Sequence, residues 1–289
     1  MSVKLSLFGV CIATAWLGGS PVGGMPAAPA ADAQYQLTVP AAGSKDASQT
    51  ALEIQALIDQ GVADIEQGNT DTARETLTTA LTLSQTRNHP ELGIKAVNAL
   101  YPLLTADPQQ AAQILEQGIR FAQSANDLAS EAQYLVELQD IYFEANDFEA
   151  LLQAAERFEA ITSPLNQPEL QLISQAMYLA AYSVSGDFEA VYRYADQVLA
   201  LTEQLFPGDA EQRLTVLEAI FFAYDKLPDY ERGLSILTEM IALTQTLGDI
   251  PRESRYQMVA GKYHEAINQF EAAIAASQIA IDLAREANL

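Results

Sequence analysis

Two histidines, His89 and His264, and one cysteine, Cys11, are the only imidazoles and thiol in the 289 residues, so acid–base, nucleophilic or metal chemistry has few groups to work with. His89 sits in the turn-like Asn88-His89-Pro90 and His264 at an expected helix start, and both read as surface residues. None of the patterns H-E-x-x-H, C-x-x-C, G-x-G-x-x-G, Walker or G-x-S-x-G occurs, nor does the calcium loop D-x-[DN]-x-[DN]-G. Carboxylates are abundant, yet at helical spacing in an acidic chain they read as a solvated face. No catalytic residue, metal site or cofactor is therefore expected. The enzymatic alternative is an all-α hydrolase or lyase whose Tyr, Arg, His or carboxylate groups converge in a pocket inside a helical toroid.

The elements that would position such groups are legible from composition and periodicity. Hydrophobic residues make up 49% of the chain and charged residues 18%, which supports a packed core. The 38 Asp and Glu against 15 Lys and Arg give a net charge of −23. Such a surface repels phosphate backbones and anionic lipids, so nucleic acid and peripheral membrane binding are disfavoured. From residue 51 onward apolar residues recur at helical spacing without strand-like alternation, which predicts an all-α body.

The N-terminus has the parts of a secretory signal: Lys4, an apolar stretch from Leu5 to Leu17, helix-breaking Gly and Pro residues, and Ala31-Asp32-Ala33 before Gln34. Thirteen apolar residues are short for a membrane-spanning helix. Residues 1–33 are thus expected to be a signal peptide and 34–50 a flexible leader, with 51–289 the folded body. The expected compartment is periplasmic or extracellular, with no membrane attachment after cleavage. A membrane-tethered assembly scaffold is the alternative if the segment is retained. Cleavage after Ala33 would remove Cys11 and Trp16, leaving a chain without thiols.

Three copies of one turn stand out in the body: Asn146-Asp147-Phe148-Glu149-Ala150, Gly186-Asp187-Phe188-Glu189-Ala190 and Pro228-Asp229-Tyr230-Glu231-Arg232. Their aspartates, Asp147, Asp187 and Asp229, are almost evenly spaced, and a tyrosine leads into each turn from the preceding helix, namely Tyr142, Tyr182 and Tyr224. The physics is that of a helix start: Asp caps the new helix, Glu complements its positive end, and the aromatic packs sideways. Fainter copies open at Asn69 and at Asp107-Pro108, and a sixth is expected at Gly261-Lys262-Tyr263-His264-Glu265-Ala266. That makes about six helix pairs. The sixth placement leaves a short last unit with a brief or irregular helix near Pro251 to Val259, followed by a capping helix from Ile274 to Leu289. The recurrent tyrosines read as packing residues between neighbouring units.

With Gly61, Ala73, Leu77 and Ala80 in the first pair, Tyr182 with Gly186-Asp187-Phe188 in the fourth, and Ala266, Phe270 and Ala273 in the last, the chain resembles the tetratricopeptide repeat family. It departs from the family pattern in lacking the early tryptophan, in holding Leu151, Val191 and Gly233 at a small-residue position, and in a period longer than the usual ~34 residues. The resemblance implies a right-handed α-solenoid of about six antiparallel helix pairs. It also implies an inner groove lined by the leading helix of each pair. The groove residues it designates are Gln133, Val136, Asp140, Phe143 and Glu144 in the third unit, and Thr215, Glu218, Phe222, Asp225 and Lys226 in the fifth. Phe143 and Phe222 would serve as apolar anchors unless they pack as core. The implied function is a non-enzymatic adaptor or scaffold outside the cytoplasm that binds a protein or peptide in that groove.

Overall fold

The computed structural model describes residues 44–224 and 229–287. The expected signal peptide, the leader up to residue 43, Asp225 and Lys226 lie outside them. Among the described residues every regular element is helical. Leading helices α1 (Ser44–Glu66), α3 (Pro90–Leu100), α5 (Leu128–Glu144), α7 (Pro168–Ser185), α9 (Ala210–Tyr224) and α11 (Ile250–Ala266) alternate with trailing helices. The latter are α2 (Thr70–Thr86), α4 (Pro108–Ala125), α6 (Phe148–Thr162), α8 (Phe188–Leu205), α10 (Tyr230–Leu247) and α12 (Phe270–Glu286). The fold is the expected all-α arrangement of helices packing in adjacent pairs. Helix α1 starts at Ser44, so residues 44–50 of the expected leader are helical, with Thr50 already buried.

The turns are built alike at both ends of a pair. Asn88, Asn126, Asn146, Asn166 and Asn268, and Gly68, Gly186, Gly208 and Gly248, all have positive φ. Each stands directly before the residue that opens the next helix. Asn and Gly are the residues that tolerate this left-handed conformation, which ends a helix. The following residue then serves both helices. The Asp147 N–H donates back to the Tyr142 carbonyl at 2.9 Å and closes α5, while its carboxylate accepts from the Ala150 N–H at 3.0 Å and opens α6. Asp107, Asp127, Asp187, Asp209, Asp229 and Asp249 accept in the same way from the N–H three residues on. Prolines shape two exceptions: α3 gives way to a 3-10 turn at Tyr101–Leu104 containing Pro102, and α6 gives way to one at Ser163–Leu165 containing Pro164. A proline ring removes the donor that a further α-helical turn requires.

The sixth turn is displaced from its expected place. It lies at Asn268-Gln269-Phe270-Glu271-Ala272, not at Gly261-Lys262-Tyr263. Lys262 cannot cap a helix start, whereas Asn268 has φ of 61° and closes α11. Helix α11 is accordingly a regular helix of 17 residues and not the brief segment expected. His264 falls in its last turn, with Nδ1 2.8 Å from Gln269 Oε1.

The chain divides between Ile141 and Tyr142 into two compact units. In the earlier unit Tyr134 fills the space beside Gly118 and Val97, and its hydroxyl donates to Asn98 at 2.8 Å. In the later unit the core joins Leu151, Leu172, Leu179, Val191, Val198, Val216 and Ile220. Leu151 and Val191, which break the family's small-residue rule, are thus core residues. Gly233, at the same position one repeat on, admits the Tyr263 ring, because a Cβ there would stand 2.3 Å from that ring. The recurrent tyrosines pack between repeats: Tyr182 lies against Phe148 at 5.9 Å and Tyr224 meets Tyr192 edge-on at 5.3 Å.

Replacing Asp147, Asp187 or Asp229 by Ala should cost about 1 kcal/mol each, the value of a side-chain cap, read as a lower urea midpoint of helicity. Asp229 should cost most, because it also accepts from the Tyr192 hydroxyl at 2.6 Å, which holds its carboxyl below the usual range. Gln269 makes no side-chain cap, so Gln269→Asp should raise the midpoint.

Candidate inner-face site

The designated groove residues divide between the two units. In the earlier unit, Val136 is buried while Gln133 and Asp140 are half-buried. In the later unit Phe143 is buried, and its ring lies 5.8 Å from that of Phe222. The two aromatics are therefore brought together, as a packed pair and not as two separate exposed anchors. Glu144 is exposed, and Thr215, Glu218 and Phe222 are half-buried.

The corresponding positions on α7 are Ile173, Ala176, Ala180, Ser183 and Val184; the first four are buried and Val184 is half-buried. Helix α9 packs directly on α7 at the inner side, so short side chains on α7 are what allow the leading helices to approach. On α11 the same repeat positions hold Arg255, Met258 and Lys262, and all three are exposed. The groove residues designated from sequence come from the third and fifth units alone and so do not include these three. The match of Asn268-Gln269-Phe270-Glu271-Ala272 to residues 146–150, in step with the turns at Asp147, Asp187 and Asp229, carries the correct register.

Polar contacts fix α11 against α9. The buried Tyr256 hydroxyl donates to Glu218, Arg255 lies 3.6 Å from the same carboxylate, and Arg252 bonds Glu211 at 2.9 Å. Burial and the Glu218 carboxylate both push the Tyr256 phenol up, so it stays a protonated donor at neutral pH. Phe221 and Tyr263 close the far end of the seam at 5.5 Å. The resulting strip offers Thr215 and Phe222 from α9 beside Arg255, Met258 and Lys262 from α11. On α11 the apolar, adaptable thioether of Met258 lies between Arg255 and Lys262, with Glu218 and the exposed Glu265 beside those cations.

A polar hollow of about 380 Å³ lies elsewhere in the later unit, lined by Glu159, Thr162, Gln171, Ser174 and Gln197 among others. Glu159 is its only ionisable lining group, and it accepts from the Tyr178 hydroxyl at 2.7 Å. It holds no nucleophile–base pair. Among the described residues, no cluster of three or more His, Cys, Asp or Glu is placed to hold a metal, and no helix is long and apolar enough to cross a membrane.

Comparison with protein families and with curated proteins finds no match. Solved structures do match. A kinesin-light-chain-type protein of nearly identical TPR-like repeats from Podosopora anserina superimposes with a TM-score of 0.53 at 18% identity, over 67% of this chain and 96% of that one. A STAND signal-transduction ATPase with a tetratricopeptide repeat sensor, from Pyrococcus horikoshii, matches with a TM-score of 0.60 at 13% identity. That match covers 82% of this chain and 38% of the ATPase chain. The fold is thus tetratricopeptide-like, as the resemblance in the turns implies.

Glu218→Ala should cost about 1–3 kcal/mol by leaving the buried Tyr256 hydroxyl without an acceptor. Glu218→Gln, whose amide oxygen still accepts, should cost markedly less. Urea denaturation of the two variants beside the parent checks the difference.

Proposed function

We propose that the chain is a non-enzymatic protein-interaction scaffold that takes a peptide segment of a partner along the α9–α11 strip. The tetratricopeptide-like fold is consistent with such a role. The observation that carries the proposal is the exposure of Arg255, Met258 and Lys262 at positions whose α7 counterparts are buried. Positions that α7 buries are here kept in solvent, with a thioether between two cations. The ligand that fits offers an apolar side chain to Met258 and Phe222 and a carboxylate to Arg255 and Lys262.

The scaffold is proposed to work outside the cytoplasm. Support comes from Lys4, the apolar stretch from Leu5 to Leu17 and Ala31-Asp32-Ala33, in the order of an export signal. N-terminal sequencing of the protein isolated from its own cell envelope or medium should begin at Gln34. A chain that still begins at Met1 would refute cleavage.

A photo-crosslinking amino acid at Met258 or Thr215 should capture one discrete protein in the native compartment, and the same probe at Arg193 on α8 should not. Arg255→Glu with Lys262→Glu should lower the captured yield roughly tenfold, as loss of two charge-assisted contacts would. Equal capture at Arg193, or a yield indifferent to the double substitution, would overturn the assignment.

A further inference from the structure

Helix α12 carries an apolar stripe in the open. Phe270, Ile274 and Ile281 are 55%, 71% and 47% exposed. Their spacing of four and seven residues lines them along one side of the helix, with Ser277 between. In α10 the same repeat positions are Tyr230, Leu234 and Ile241. There Tyr230 meets the Tyr263 ring edge-on at 5.3 Å, while Leu234 and Ile241 pack against the cluster that holds Tyr256 and Ala260 of α11. The stripe is therefore a helix-packing face by position and by composition, and no described helix covers it.

The other end of the array does not complement it. Tyr256, Ala260 and Tyr263 are the α11 residues that meet the preceding trailing helix, and their counterparts on α1 are Ala56, Gln60 and Ala63. Leu52 and Val62 are the large apolar side chains exposed on α1, Leu52 next to the exposed Glu53. Stacking α12 of one copy on α1 of another would set its isoleucines against the small Ala56 and Ala63 and the polar Gln60, which offer little apolar area. Stripe against stripe buries apolar surface on both sides.

The charges set the direction of that pairing. Glu271 in the first turn and Arg285 in the last, the latter also 3.4 Å from Asp282 of its own helix, flank the stripe on one side, with Gln278 midway. Antiparallel packing about an axis near Gln278 brings Glu271 of each copy beside Arg285 of the other. Parallel packing would place the Glu271 and Arg285 flanks of the two copies on opposite sides of the seam, where they cannot pair. In the antiparallel arrangement Ile274 of each copy also meets Ile281 of the other, and the small Ser277 near the axis allows close approach, as in the seam of a coiled coil.

We propose that two copies of the chain associate through α12, antiparallel about a two-fold axis, with Ile274 and Ile281 as the shared core and Glu271 and Arg285 as flanking pairs. A two-fold contact uses the same face on both copies and so closes on itself. It shares no residue with the α9–α11 strip, and its success or failure is independent of the ligand proposed there.

Sedimentation velocity on the purified chain over a range of concentrations tests it, with circular dichroism to show that each variant is folded. A dimer that builds up with concentration is expected. Ile274→Lys or Ile281→Lys should weaken it roughly tenfold or more, and Ile279→Lys on the opposite side of α12 should not. E271R or R285E alone should weaken the dimer, and E271R with R285E together should restore it. A monomer at every concentration would overturn the proposal and leave the stripe to a helix of another partner. So would a dimer insensitive to Ile274→Lys and Ile281→Lys, or a double swap that fails to restore association.

Discussion

Most helix junctions in this chain depend on a two-residue device: a left-handed Asn or Gly followed by a residue that closes one helix with its backbone and, when it is Asp, opens the next with its side chain. Helix ends leave unpaired donors and acceptors, and a connection so short has no spare groups to satisfy them. Asp147 shows the economy of the solution, since one residue bonds Tyr142 behind it and Ala150 ahead of it. Because the device recurs at nearly even intervals, leading and trailing helices are mostly of similar length. The long period that sets this chain apart from the usual family repeat follows directly.

The turn also determines what the helices can present. It fixes where each helix starts and therefore which side chains face a neighbour. At one repeat position the same geometry yields a core Val191 and a Gly233 notch for Tyr263. On the inner side it yields buried Ala176 and Ala180 on α7 but exposed Met258 and Lys262 on α11. Difference at equivalent positions, against a constant backbone plan, is where a site can be looked for. The polar seam of Glu218, Tyr256 and Arg255 then holds the two contributing helices in register.

Much of the fold is legible in the sequence because its signals are local. The Asp-aromatic-Glu turns at 147, 187 and 229 carry cap, charge and packing information within three residues, and they place their helices correctly. The sixth turn escapes that logic because Gln269 stands where the other turns have aspartate. The burial of Phe143 is beyond a helical wheel, since it depends on Phe222, almost two repeats further along the chain. Helix faces can be counted from sequence, but the approach of two leading helices depends on how small the α7 side chains between them are.

The predominance of contacts between helices adjacent in the chain has a kinetic meaning. Contacts close in sequence need little loop closure before they form, and chains built from them have low contact order and fold rapidly. A pair such as α7 and α8 can gather while the residues after it are still being synthesised or threaded, because its partners are already at hand. The chain can thus acquire structure progressively from one end, adding a pair at a time, without waiting for its last helix.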